Sequence, residues 1–263
     1  MQEAPPKFAI SIRNATKSYR QHDGLALREV SLDVKSGEFL VVVGESGSGK
    51  TTLLKLINRL VEPSAGEIHV AGRDTQAIDP IQLRRSIGYV FQEVGLFPHL
   101  TIAENIGITP RLLGWNKASI ADRVRELLDL VRLQQDLADR FPATLSGGQR
   151  QRVGVARAIA ARPEIVLMDE PFGAVDAITR ESLAGDYRAL HDRLKLTTIM
   201  ITHDVVEAVL LADRIAVMRE GVILEQGAPQ QLLAHASHDY VRELMAMPRQ
   251  QALRVAALAA GAG

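Results

Sequence analysis

The sequence predicts an α/β fold: a buried α/β core, an antiparallel β layer ahead of it, and a helical subdomain inserted into it. Three observations carry that prediction. A glycine-rich loop, Gly44-Glu45-Ser46-Gly47-Ser48-Gly49-Lys50-Thr51-Thr52, lies between an apolar strand-like run at 39–43 and a helical pattern that begins near Lys50. Two more short apolar runs, 165–168 and 198–201, each pass through a polar loop into a helix, the alternation expected of strand-helix units. Between residue 93 and about residue 161, strand-like runs disappear and helical spacing takes over.

Taken in order, residues 8–13 and 25–34 read as strands of the antiparallel layer, with Tyr19 in the polar stretch between them. Residues 38–43 form a nearly continuous apolar run of the kind buried on both faces of a sheet. Leu53, Leu54, Leu56, Ile57 and Leu60 make the buried stripe of the next helix, which the segment 62–66 closes. Short strands are predicted at 67–70 and 87–91, with a polar segment containing Asp79-Pro80 between them. Helices are predicted at 101–113, at 119–130, and from 149 or 150 to 161. Strands return at 214–218 and 222–225, split by a turn at Glu220-Gly221. From Pro229 the chain reads as helical, with His235 and His238 on one helical face, and it ends in an Ala-rich, frayed tail at 256–263.

The 263 residues suffice for one sizeable domain with a subdomain. Basic and acidic residues balance at 31 each, which argues against a nucleic-acid partner and against a polybasic membrane anchor. With no cysteine, disulfides and thiolate chemistry are excluded. The N-terminus lacks the apolar core of a signal peptide, and no apolar run approaches the roughly 20 residues of a membrane span. If the protein works at a membrane, another chain must cross it.

The glycine-rich loop has the chemistry of a phosphate cradle. Gly44, Gly47 and Gly49 let successive N–H groups face inward at the positive end of a helix. Lys50 can reach the outer phosphates and the Thr51 hydroxyl can ligate Mg²⁺. By composition alone the pattern arises roughly once in a hundred chains of this length. Asp169 and Glu170 close the apolar run 165–168, at the strand end where open α/β sheets present ligand groups. Asp169 is the natural Mg²⁺ partner, and Glu170 can polarise a water for attack on a γ-phosphate. A third string, Leu145-Ser146-Gly147-Gly148-Gln149, combines a hydroxyl, flexible backbone and a helix start, so it reads either as a second phosphate surface or as a plain Ser N-cap. Two such surfaces beside one lysine-bearing cradle suggest one nucleotide held between two copies of the chain.

Together these strings resemble the nucleotide-binding subunit of ABC transporters, over about 8–244. The resemblance implies a P-loop NTPase fold with a RecA-like core and a helical subdomain at approximately 93–161, leaving 245–263 as a short tail. It implies ATP and Mg²⁺ as ligands and ATP hydrolysis as the activity. Tyr19 falls where the family stacks an aromatic ring on adenine, and Gln92 where it places a glutamine touching Mg²⁺ and the attacking water. Asp176, in Gly173-Ala174-Val175-Asp176, matches the loop that communicates across the dimer, and His203 the switch histidine at the γ-phosphate. Val175 stands where Leu is usual, a conservative swap, and Ala177 where Pro is expected, which bears on the stiffness of that loop and not on catalysis.

Further strings resemble the osmoprotectant branch of importers, which take up glycine betaine, choline, carnitine and related quaternary amines. They are Ile57-Asn58-Arg59-Leu60-Val61-Glu62-Pro63, Asp79-Pro80, Leu83-Arg84-Arg85, Ile87-Gly88-Tyr89-Val90, Gly95-Leu96-Phe97-Pro98-His99 and Leu112-Leu113-Gly114-Trp115. Residues 93–105 fall where the family forms the groove for the permease's coupling helix. The implied partners are a second copy of this chain, integral-membrane permease subunits, and an extracytoplasmic solute-binding protein or domain. The implied location is the cytoplasmic face of the cell membrane, as a peripheral subunit. Larger members carry C-terminal regulatory CBS modules, and the expectation here is that the chain senses no ionic strength by itself. An importer of another small solute stays open, because the motor subunit does not touch cargo; a soluble ABC ATPase acting on DNA or ribosomes, or a P-loop kinase, fits the strings less well.

Overall fold

The computed structural model describes residues 8–19, 24–173 and 175–260. At its centre is β3 (Phe39–Val43), parallel to β8 (Thr197–Thr202) on one side and β9 (Arg214–Arg219) on the other. β7 (Ile165–Asp169) extends the sheet beyond β8, β6 (Ile87–Val90) extends it further, and β10 (Val222–Gly227) closes the far edge antiparallel to β9. The second sheet is antiparallel: β1 (Ile10–Ser18) lies between β2 (Leu25–Val34) and β4 (Ala65–Val70), with β5 (Arg73–Asp74) outside β4.

The central strands read as unbroken apolar runs because they feed two cores, one on each face. Phe39, Val41 and Val43 join Val166, Met168, Met200, Ile215 and Val217 in one core, with the helices of the middle of the chain. Leu40 and Val42 join Ile165, Leu167, Ile199, Ile201, Ala216 and Met218 in the other, with the antiparallel sheet and α1 (Lys50–Ile57). Strand alternation therefore divides every central strand between the two layers.

Between β6 and β7 the described chain forms α3 (Ile102–Leu112), α4 (Lys117–Leu130) and α5 (Gly147–Ile159). Thr101 starts α3 with a reciprocal capping box to Glu104. Fully buried Asn105 binds the preceding turn through Phe97 N–H and the carbonyls of Phe97, Leu100 and Thr101. After β7 come α6 (Ala177–Leu194) and α7 (Val205–Leu211), and the chain ends in α8 (Pro229–His235) and α9 (Asp239–Ala260).

Several local expectations are corrected. β1 starts at Ile10 and runs to Ser18, past the predicted end at 13, because a register shift after Ile12, where Asn14 has φ 48°, lets pairing resume. Leu60 is 44% exposed rather than part of the stripe. α1 stops at Ile57, well before 62–66, since Arg59 turns into the left-handed region and Leu60 N–H bonds back to Lys55 O. The polar segment around Asp79-Pro80 holds an unpredicted helix, α2 (Pro80–Ser86), capped by Asp79, whose carboxylate accepts from Ile81 and Gln82 N–H. His235 ends α8 whereas His238 precedes α9, so the two do not share a helical face. Helix continues through 256–260, where the sequence predicts fraying. The N-terminal residues 1–7, Ala174 and residues 261–263 lie outside the described residues.

Buried His191 ties α6 to the central sheet: its Nδ1 lies 2.9 Å from Thr198 Oγ1, which also meets the Tyr187 hydroxyl at 2.9 Å, and its ring packs 4.9 Å from that of Phe39. Burial, aided by the Arg188 charge, holds its pKa below the ordinary histidine value. The unfolded chain therefore binds the extra proton first as pH falls through about 6.5. The stability difference between wild type and His191→Gln should be greatest above pH 7 and shrink toward pH 5.5; thermal midpoints measured across that range check it.

Candidate functional site

The site forms where adjacent parallel strands end. β3 runs into the glycine-rich loop, β8 into His203, β7 into Asp169 and Glu170, and β6 toward Gln92, so strand order alone brings four distant segments to one edge. Between them lies a cleft of about 570 Å³ lined by Ala26, Ser46, Gly47, Gly49, Lys50, Thr51, Thr52, Gln92, Glu170 and His203.

The loop needs glycine at two positions, where neighbouring backbone leaves no room for a Cβ. A Cβ on Gly44 would lie 2.0 Å from Met218 O, and Gly49 has φ 102° with its Cβ position 2.5 Å from Ala26 O. Gly49 is the N-cap of α1 and offers no side-chain cap, which leaves the first N–H groups of the helix open. Buried Lys50 donates to Gly44 O and Glu45 O, each at 2.7 Å, and approaches Ser48 Oγ at 3.4 Å. Burial lowers its pKa, while Glu170, Asp169 and Glu45 act in the opposite direction. A buried ammonium held by neutral acceptors, beside open helix N–H groups, fits an oxyanion such as a phosphate.

Thr51 Oγ1 donates to Asp169 Oδ1 at 3.3 Å. Burial raises the Asp169 pKa, and the Thr51 bond acts against it. Among the described residues no group of three or more His, Cys, Asp or Glu could hold a metal ion. A cation here would draw oxygens from Thr51, Asp169 and phosphate, a donor set that suits Mg²⁺.

Glu170 stands at the focus. Its backbone is left-handed, φ 43°, and is pinned by its N–H to Ile201 O at 3.0 Å and by Gly173 N–H to its carbonyl at 3.2 Å. Its Oε2 accepts from Gln92 Nε2 at 3.2 Å and lies 3.3 Å from His203 Nδ1. His203 is aimed by the start of α7: Thr202 Oγ1 accepts from Asp204 N–H, and the Asp204 carboxylate accepts from Val206 and Glu207 N–H. Burial raises the pKa of Glu207, in that same first turn.

The other predicted positions lie apart from this cleft. Ser146 caps α5 in a capping box: its Oγ accepts from Gln149 N–H at 3.2 Å and Gln149 Oε1 accepts from Ser146 N–H at 2.9 Å. Asp176 caps α6 by accepting from Thr179 N–H at 3.0 Å, which lowers its pKa. These two caps pack together, since a Cβ on Gly148 would lie 2.7 Å from Thr179 Cγ2 and one on Gly147 3.8 Å from Val175 Cγ1. Tyr19 follows β1, half-buried, with the Lys17 ammonium 5.2 Å from its ring; it does not line the cleft, and residues 20–23 beside it are outside the described residues.

Sequence reasoning missed two contributors. Ala26, in β2, walls the cleft, and nothing in its local sequence marks it. Arg157 reaches from α5 to Val94 O and Gly95 O at 2.6 and 2.7 Å, while Gly154 leaves the room Val94 fills. The segment after Gln92 is thereby fastened to the helix that Ser146 starts.

Comparisons with known proteins agree with this geometry. The model of the ABC transporter family matches residues 27–173. The choline transport ATP-binding protein OpuBA of Bacillus subtilis is 46% identical over 240 residues, 91% of this chain and 63% of that protein. The osmoprotectant import ATP-binding protein OsmV of Salmonella typhimurium is 46% identical over 244 residues, 91% of this chain and 64% of that protein. The chain thus spans less than two thirds of the length of these relatives. Among solved structures, the ATP-binding cassette MJ0796, in a dimeric post-hydrolysis state bound to ADP and Pi, superposes with a TM-score of 0.76 at 34% identity, covering 83% of this chain and 98% of that one. With its α/β sheets, its glycine-rich cradle and these relatives, the chain belongs to the ABC transporter family.

Proposed function

We propose that this chain is the ATP-binding and ATP-hydrolysing subunit of an importer for osmoprotectants of the quaternary-amine type, such as glycine betaine, choline and carnitine. The observation that carries the catalytic part is the meeting of Gln92 and His203 on one oxygen of Glu170, across a cleft from Lys50. The substrate class rests on the relatives OpuBA and OsmV and on the branch-like strings outside the ATP chemistry. We assign the nucleotide-binding domain to 8–244, its helical subdomain to about 93–161, and the C-terminal tail to 245–263.

In this reading the N–H groups of Glu45 to Thr52 and the Lys50 ammonium bind the phosphates, and Tyr19 stacks on the adenine. Mg²⁺, held by Thr51, Asp169 and Gln92, would neutralise charge on the phosphate oxygens. Glu170 accepts a proton from the attacking water, and its pinned backbone keeps the carboxylate facing the cleft. His203 senses the γ-phosphate and steadies the Glu170 carboxylate. Ser146, Gly147, Gly148 and Gln149, with Asp176, lie away from their own cleft and would face the cleft of a second copy, closing a homodimer over two nucleotides.

Closure would pull on integral-membrane permease subunits docked near 93–105, with solute delivered by an extracytoplasmic binding protein or domain. No helix among the described residues is long and apolar enough to cross a membrane. The proposed place is the cytoplasmic face of the cell membrane, where the permease would hold the chain as a peripheral subunit. An importer motor for another small solute shares every feature of the site, and stimulation of ATP hydrolysis by a quaternary amine distinguishes the two.

Three outcomes are expected. Glu170→Gln should cut ATPase activity by at least about a hundredfold while ATP still binds and traps a dimer on gel filtration; full turnover from this variant would sink the catalytic assignment. Lys50→Ala should instead weaken ATP binding by about tenfold or more, as loss of a charge-assisted bond to phosphate implies, read by calorimetric titration. Purified from native membranes with its permease, the complex should hydrolyse ATP faster when a quaternary amine and the matching binding protein are added. A polytopic partner without amine response would point to another solute.

A further inference from the structure

Glu45 is an odd residue for a loop that binds an anion. Its carboxylate, like those of Asp169 and Glu170, lies close enough to act on the Lys50 charge. Its two ends are held by different partners. The backbone carbonyl accepts from Lys50 Nζ at 2.7 Å, and Oε1 accepts from the Tyr240 hydroxyl at 3.1 Å, across 195 residues of sequence.

Tyr240 lies in the first turn of α9, half-buried, with the Arg219 guanidinium 4.5 Å from its ring centre. Arg219 ends β9, the strand whose Met218 carbonyl fills the space beside Gly44. Tyr240 is thus anchored to the same wall that shapes the loop. Burial and the bond to Glu45 both raise its pKa, so it stays a neutral donor at ordinary pH.

We propose that Tyr240 is a positioning residue for the phosphate loop: its hydroxyl draws the Glu45 carboxylate to the α9 side, away from the path of an incoming phosphate. The same bond steadies the Glu45 peptide, whose carbonyl Lys50 must release when it turns to a phosphate. α9 and the nucleotide site are then mechanically linked through one hydrogen bond. The inference rests on the proposed ATP-binding function and names a residue that the phosphate-loop pattern does not include.

The test is titration of the full-length chain with Mg-ATP, together with ATPase rates. Tyr240→Phe keeps the ring beneath Arg219 and removes only the hydroxyl. It should weaken ATP binding about fivefold and raise KM to match, with kcat changed by no more than about twofold. In a Glu45→Ala background the same replacement should change ATP affinity by nothing measurable, because the group being positioned is gone. Equal losses in both backgrounds overturn the proposal, as does an unchanged ATP affinity in Tyr240→Phe alone, even if its melting temperature falls. A wild-type chain that binds no ATP overturns the proposed function and this inference with it. Wild-type binding with additive variants overturns only the role of Tyr240.

Discussion

The parallel register of three central strands is the constraint on which the rest depends. Val43 pairs with Thr202, and Ile201 with Asp169, so β3, β8 and β7 end side by side. Had any of them shifted by one residue, its apolar side chains would exchange cores and its terminal group would leave the cleft. Because both cores draw on alternate residues of the same strands, that slip is resisted from both faces. The register is held by packing, and the site inherits it.

The second requirement is close approach. A backbone carbonyl from β9 and another from β2 press against Gly44 and Gly49, and this leaves no room for any side chain there. The loop is thereby shaped from outside as much as by its own flexibility. In the same compact space buried Lys50 feels the charges of Asp169 and Glu170, and Glu45 is tied back to α9. An anion entering such a cleft meets the Lys50 ammonium and a helix N-terminus, and the opposing carboxylates are held by Thr51, by Gln92 and His203, and by Tyr240.

Periodicity served well where a strand or helix was fully covered and failed where local signals compete. β2 was legible at both ends, and β7 and β8 to within a residue or two, because β7 and β8 carry unbroken apolar cores and β2 alternates from Val30 to Val34. α2 was not, since Asp79-Pro80 marks a helix start and a turn equally well until the two N–H groups that Asp79 accepts are seen. Leu60 looked like a continuation of the α1 stripe because its spacing is right; the left-handed turn at Arg59 takes it out of the core.

The sequence by itself determined the α/β class, the strings that identify the family, and the residue types available to bind phosphate and move a proton. These are properties of short stretches, set by spacing and by the chemistry of each side chain. Only the tertiary structure decided that Gln92 and His203 share one oxygen of Glu170, that Gly148 makes way for Thr179, that Arg157 fastens the segment after Gln92, and that Tyr240 reaches Glu45. Each of these joins residues that are distant along the chain. Such meetings follow from strand order and packing, which no local pattern encodes.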